Sequence, residues 1–449
     1  MSAGGSPTEA DAPGLRRDIG FTGSAFLAFN GIVGAGIFAL PATLHGQFGA
    51  FSPWLFPLFA LAVLLVVLPF ARLAALFPTS GGPAAYTAVF GPVASFQVGW
   101  LYYLTRVTAL AANANVFAIY AAALWPPLGT AIGRIATIAL LIGALTLINV
   151  AGVRRAIRAL DALTLLKALP LVALAVFGLI WSAHAVPPPG PPPSLSAIEA
   201  TALVVLYAFV GFENSVVPAG ETRDPERNIP RALIATVVAT AAIYFLVQLA
   251  YVAVMPAGAA PDAPLAAFAE ALIGPVGAVL LSLTALASVA GNVTGSLTST
   301  PRVTYALAQG GLLPCWFGRV SARFATPANS VLFMGLLGFA LAVTGSFVWL
   351  AIVSTLARLF VYGASIAALP ANRRRAGLAT GIGTFALIGA GLALCVWAAM
   401  QSRGDAWAML GGLVALGLLL FLIARRQAAS SAAASVSAIQ PPPSTRSPS

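Results

Sequence analysis

GIVGAGIF, residues 31–38, places Gly31, Gly34 and Gly36 inside an otherwise apolar stretch. YAFVGFEN, residues 207–214, does the same to a second stretch, with Gly211 and an acidic Glu213 at its centre. Breaks at corresponding places in two apolar segments are the sequence signature of a solute site midway through a membrane. In lipid every backbone polar group needs a partner, so unwound glycine-rich backbone persists only where protein or a watery cavity surrounds it. The alternative use of the same glycines is close packing of helices through small residues.

Composition supplies the membrane. The 449 residues are 59% hydrophobic and only 8% charged, whereas soluble domains carry about a quarter charged residues. Apolar stretches long enough to cross a bilayer, roughly 20 residues each, fall at 20–43, 50–76, 93–124, 131–151, 159–183, 197–219, 231–255, 275–300, 328–345, 347–369, 378–400 and 406–424. The reading is an all-α integral membrane protein of about twelve transmembrane helices, with helices 1 and 6 broken.

Most of the 23 basic residues collect in alternate short loops. Arg16 and Arg17, Arg72, Arg154 with Arg155 and Arg158, Arg223 with Arg227 and Arg231, and Arg302 with Arg319 and Arg323 lie on one side. Arg373 to Arg375, and then Arg425, Arg426 and Arg446, join them. Cytoplasmic loops collect Lys and Arg, so both termini are expected in the cytoplasm. Arg134 and Arg403 fall on the other side. The net charge of +11 therefore reports topology, and dispersed arginines exclude the basic stripe that a nucleic-acid partner needs.

Several function classes find no support. The polar first 20 residues hold no apolar core ahead of a cleavage site and do not read as a signal peptide. Cys315 and Cys395 are far apart and make no disulfide framework. His45 and His184 are isolated near the outer ends of spans and read as interfacial or solvated. No HExxH, CxxC or phosphate-cradling motif is present, so neither a metal nor a cofactor is expected. With no nucleophile and base in the spans, an enzyme is not expected either.

The breaks carry opposite polarity. N–H groups of Ala35, Gly36 and Ile37 would head the outer half-helix and favour a carboxylate. The carbonyl of Ile32 would end the inner half and favour a cation. Carbonyls of Tyr207 and Val210, freed by the second unwinding, would suit an ammonium group. A small molecule carrying both charges is an amino acid.

Those residues belong to a longer pattern. GIVGAGIF followed by Leu40 and Pro41, SGGPAAYTAVFGP (80–92), GFENSVVPAGETRDPERNIPRA (211–232), RVTYALAQGGLLP (302–314) and the Ala325, Thr326, Pro327 triplet occur in order. Together they resemble the amino acid-polyamine-organocation superfamily of permeases. The resemblance implies a leucine-transporter-type fold, a five-plus-five inverted repeat. Residues 1–19 would be a cytoplasmic tail, 20–183 the first repeat, 184–196 a Pro-rich outer loop and 197–370 the second repeat. Residues 371–426 would add spans 11 and 12, and 427–449 a disordered tail. It also implies transport of amino acids or close relatives across the cytoplasmic membrane by alternating access. By similarity, Ala35 and Gly36 offer amides to the substrate carboxylate. Ile32, Tyr207 and Val210 hold the ammonium, with Tyr207 as an aromatic gate. Relatives often have Ser in place of Ala35, so a hydroxyl contact is missing.

Three charges lie inside spans. Lys167, in LTLLKALPLVALAV (163–176), is the only lysine in the chain. Lysine releases its proton readily when desolvated, unlike arginine. Some proton-coupled relatives carry a lysine in span 5 that takes the place of a sodium ion, and Lys167 resembles it, which makes it the candidate proton-coupling residue. A lysine snorkelling to the inner face is the alternative. Arg106, in LYYLTRVTALAANAN (101–115), either contacts a carboxylate-bearing substrate or pairs with Glu213; the pair is the favoured reading. Arg358 is expected to pair internally or reach the membrane boundary rather than touch substrate. Ser288 and Asn292 are candidate supports near Lys167. The expected function is proton-coupled uptake of a neutral amino acid. Exchange, an acidic, cationic or polyamine substrate, and a non-transporting nutrient sensor are the alternatives.

Overall fold

The computed structural model describes residues 17–77, 82–151, 156–182, 187–256, 258–324 and 326–439, with backbone alone over 156–166 and 428–439. Arg16, Ser80, Arg154, Arg155, His184, Ala325 and Arg446 lie outside the described residues.

The chain is all helix, with no strand among the described residues. It runs through α1 (Phe21–Ile32), α2 (Ala35–Phe48), α3 (Leu55–Leu76), α4 (Gly82–Thr87), α5 (Pro92–Leu124), α6 (Ala131–Val150), α7 (Ala156–Trp181) and α8 (Leu195–Tyr207). It continues through α9 (Pro225–Val254), α10 (Pro264–Ile273), α11 (Pro275–Ser299), α12 (Pro301–Gln309), α13 (Ala328–Thr344), α14 (Phe347–Arg375), α15 (Ile382–Met400) and α16 (Gly404–Ile439). Among the described residues, nine helical stretches are long and apolar enough to cross a membrane.

The core forms around α5. Every residue from Val98 to Val116 is buried, as expected of a helix enclosed on all sides. It packs against α14, α11, α13 and α6. Even so it carries Arg106, Asn113 and Asn115, and buried polar groups on such a helix must find partners. The periphery is the reverse. Leu140 and Leu147 of α6, Ile180 of α7, Leu336 of α13, Val396 of α15 and Leu422 of α16 are exposed apolar side chains, an outer surface suited to lipid.

Four expectations change. After Gly211, where φ is 112°, no second α-helical half follows. The chain makes 3-10 turns at Phe212–Ser215 and Ala219–Glu221, because Pro218 has no N–H to continue a ladder. α9 starts at Pro225, a proline in the first helical turn, where a missing N–H costs nothing. α16 runs on to Ile439, past the expected end of the last span at residue 424, consistent with the helix propensity of its alanines. His45 is buried and edge-on to Tyr251, ring centroids 5.9 Å apart, rather than solvated.

Candidate functional site

The first span breaks between Ile32 and Ala35. Gly34 N–H folds back onto the Ile32 carbonyl at 2.9 Å, and Tyr244 donates its hydroxyl to the same carbonyl at 3.4 Å. First-turn N–H groups of a helix have no acceptor inside it. That of Ala35 goes to Asn113 Oδ1 at 3.0 Å. The second break meets the first directly. A Cβ on Gly31 would overlap the Gly211 carbonyl, and one on Gly211 would overlap Gly31. Gly36 lies against the Ala208 backbone, its missing Cβ only 3.1 Å from Ala208 Cα. The glycines thus serve both close packing and the opening of the helix. Gly31 and Gly36 allow close packing, and the helix opens at Val33 and Gly34.

A small cavity lies where the breaks cross. Gly31, Ile32, Gly34, Ala35 and Gly36 line it from one side, and Tyr207 and Val210 from another. Arg106, Ala109 and Asn113 reach it from α5, Asn292 from α11 and Arg358 from α14. Tyr207 is buried and packs edge-on against Phe347, centroids 5.8 Å apart. Its carbonyl already accepts the Val210 N–H at 3.4 Å.

Lys167 sits behind the first break. Its Nζ donates to Asn30 Oδ1, to the Asn30 carbonyl at 3.3 Å and to the Val33 carbonyl at 2.9 Å. The ammonium thus occupies the carbonyl end of α1, the favoured place for a cation. At 1% exposure it does not snorkel. A polar chain runs from it to the cavity. Asn292 Nδ2 donates to the Asn30 carbonyl at 2.8 Å, and Asn113 Nδ2 approaches Asn292 Oδ1 at 3.5 Å. Asn113 Oδ1 then accepts the Ala35 N–H. Ser288 is buried, and its hydroxyl has no partner among the described residues.

Glu213 takes a different partner from the one expected. Arg358 Nε donates to Glu213 Oε1 at 3.1 Å, while Oε2 accepts from Gly211 N–H at 3.0 Å and from Tyr362 at 2.8 Å. Arg106 instead donates from Nη2 to Ser296 Oγ at 2.8 Å, and its Nε has no partner among the described residues. Arg358 projects from α14 onto the second break, and this supplies the carboxylate's need without α5.

The family model described as "Amino acid permease" matches residues 19–431. The chain belongs to the amino acid permease family, within the amino acid-polyamine-organocation superfamily. This permease is 30% identical over 343 residues to an uncharacterized transporter of Mycobacterium tuberculosis, covering 74% of each chain. A Mycobacterium bovis uncharacterized transporter shows 29% identity over 329 residues, 67% of this chain and 68% of the relative. A methylthioribose transporter of Bacillus subtilis shows 24% identity over 442 residues, 92% of this permease and 95% of the relative.

Three residues of the permease's site went unnoticed in its sequence. Asn113 and Tyr244 hold the backbone of the first break, and Asn30 accepts from the Lys167 ammonium beside it. Asn113 had a signal available: an amide in a span that is apolar all round requires a partner.

Proposed function

We propose that the permease is a secondary active transporter that moves amino acids across the cytoplasmic membrane by alternating access, with proton coupling through Lys167. Twelve spans are proposed, with both termini cytoplasmic and the first ten arranged as a five-plus-five inverted repeat. α1 with α2 forms span 1, and α8 with the turns after Gly211 forms span 6. The observation that carries the reading is the Lys167 ammonium on the Asn30 and Val33 carbonyls, directly behind the break that lines the cavity.

The chemistry follows from the partners. The head of α2 attracts a substrate carboxylate through Gly36 N–H, while Asn113 holds the Ala35 amide. Ile32, Tyr207 and Val210 carbonyls face the ammonium, and Tyr207 closes the cavity beside Phe347. Protonated, Lys167 ties α7 to the end of α1; neutral, it loses the charge that makes those bonds strong. Proton release on one side would thereby loosen α1 and couple the proton to the opening of the site.

Purified protein in proteoliposomes tests this with a radiolabelled amino-acid panel, and methylthioribose beside it, run with and without an inward proton gradient. Accumulation of an amino acid above equilibrium only with the gradient supports the reading. Uptake indifferent to the gradient removes proton coupling. Binding without counterflow would make the protein a sensor.

A further inference from the structure

We infer that the cavity at the breaks takes an acidic amino acid, with Arg106 receiving the carboxylate of its side chain. The inference rests on the transport reading above and names the substrate class of the same site.

The buried charged side chains among the described residues are Arg106, Lys167, Arg358 and Glu213. Glu213 is engaged by Arg358. Arg106 brings a positive charge to the cavity wall. No carboxylate lies within 4 Å of Arg106 among the described residues. Its bond to Ser296 is to a neutral hydroxyl, and its Nε is unpartnered. Glu213 also feels the charge of Arg106, but it is directly paired with Arg358, so the three groups together leave one positive charge in excess. A charge inside the membrane is costly and marks a substrate or ion path. A neutral amino acid brings no net charge to this cavity. An acidic one brings the missing negative charge.

Position argues for a second carboxylate rather than the α-carboxylate. Arg106, Ala109 and Asn113 line the cavity from one face of α5. Seven residues separate Arg106 from Asn113, about 10 Å along a helix axis. Asn113 stands at the head of α2, where the amides favour one carboxylate. Arg106 reaches the same cavity from two turns away, so it offers a carboxylate a contact distinct from the head of α2.

The test is uptake of radiolabelled glutamate, aspartate, alanine and leucine by the full-length protein in proteoliposomes, each competed by glutamate, aspartate and glutamine, in chloride and in gluconate. Wild type is compared with Arg106→Gln and Arg106→Lys, each checked for a single size-exclusion peak. The expected result is that an acidic amino acid competes at least about tenfold better than glutamine, the scale of one charge-assisted contact. Arg106→Gln should abolish that preference, and Arg106→Lys should keep part of it. Three results overturn the inference while leaving transport standing: glutamine or leucine competing as well as the acids in wild type, Arg106→Gln weakening alanine and glutamate equally, or neutral uptake that requires chloride. If Arg106→Gln does not fold, the wild-type competition decides alone. Uptake of no amino acid under any condition overturns the transport reading itself.

Discussion

Gly31 and Gly211 meet through bare backbone, each occupying the space where the other's side chain would be. Two interrupted segments, 180 residues apart along the chain, thereby cross at one point, and the cavity opens beside that crossing.

Alanine at Gly211 should disrupt the crossing, since its φ of 112° is unfavourable for a side chain and its Cβ would overlap Gly31. A loss of about 3 kcal/mol, or failure to fold, is expected from strain together with overpacking. Gly46→Ala is the control. Gly46 is exposed on α2 with nothing near its missing Cβ, so the change should be neutral or stabilise by up to about 1 kcal/mol. Thermal unfolding in detergent, followed by fluorescence, compares the two; equal midpoints would refute the account.

Glu213→Gln should strand the Arg358 guanidinium, and Arg358→Met the Glu213 carboxylate. Each is expected to destabilise by about 3–5 kcal/mol, the usual result of removing one member of a buried pair. Replacing both should cost clearly less than the sum. A double-mutant cycle on unfolding midpoints reads this, and additive losses would mean that the pair is not a unit.

Asn113→Ala leaves the Ala35 N–H without its acceptor and removes the contact to Asn292. We expect substrate binding to weaken by about 1–2 kcal/mol, or roughly five- to thirtyfold, with protein yield little changed. Isothermal titration with a transported amino acid measures it; unchanged affinity would leave Asn113 a packing residue only.

Lys167→Gln should remove the response of uptake to a proton gradient while leaving exchange of labelled for unlabelled substrate intact. Asn30→Ala, which deletes one acceptor of the ammonium, should shift the pH dependence of uptake without abolishing it. Uptake rates across a pH series in proteoliposomes distinguish these outcomes, and a Lys167→Gln protein that still follows the gradient would remove the coupling role.

The places where the helices break were legible because the cause is local: Gly34 opens the first helix where it stands, and the positive φ of Gly211 with Pro218 ends regular helix in the second. The ends of α5, α6 and α11 followed the apolar runs to within a residue for the same reason. The partner of Glu213 was not legible. Arg106 and Arg358 both lie in mid-span, and either can be paired with an acid on paper. The rotation of α5 and α14 about their own axes decides which guanidinium reaches the second break. The same rotation turns Asn113 toward Ala35 and leaves Arg106 with only Ser296.

By itself, then, the sequence determined that the chain is a helical membrane protein, where two of its segments open, and which family it resembles. Those properties follow from hydropathy and backbone chemistry over neighbouring residues. The tertiary structure alone decided that Lys167 rests on the end of α1, that Arg358 neutralises Glu213, and that Arg106 is left as a buried cation on the cavity wall. Charge compensation inside a membrane acts between side chains brought together across helices. It depends on which faces meet, and no local pattern records that.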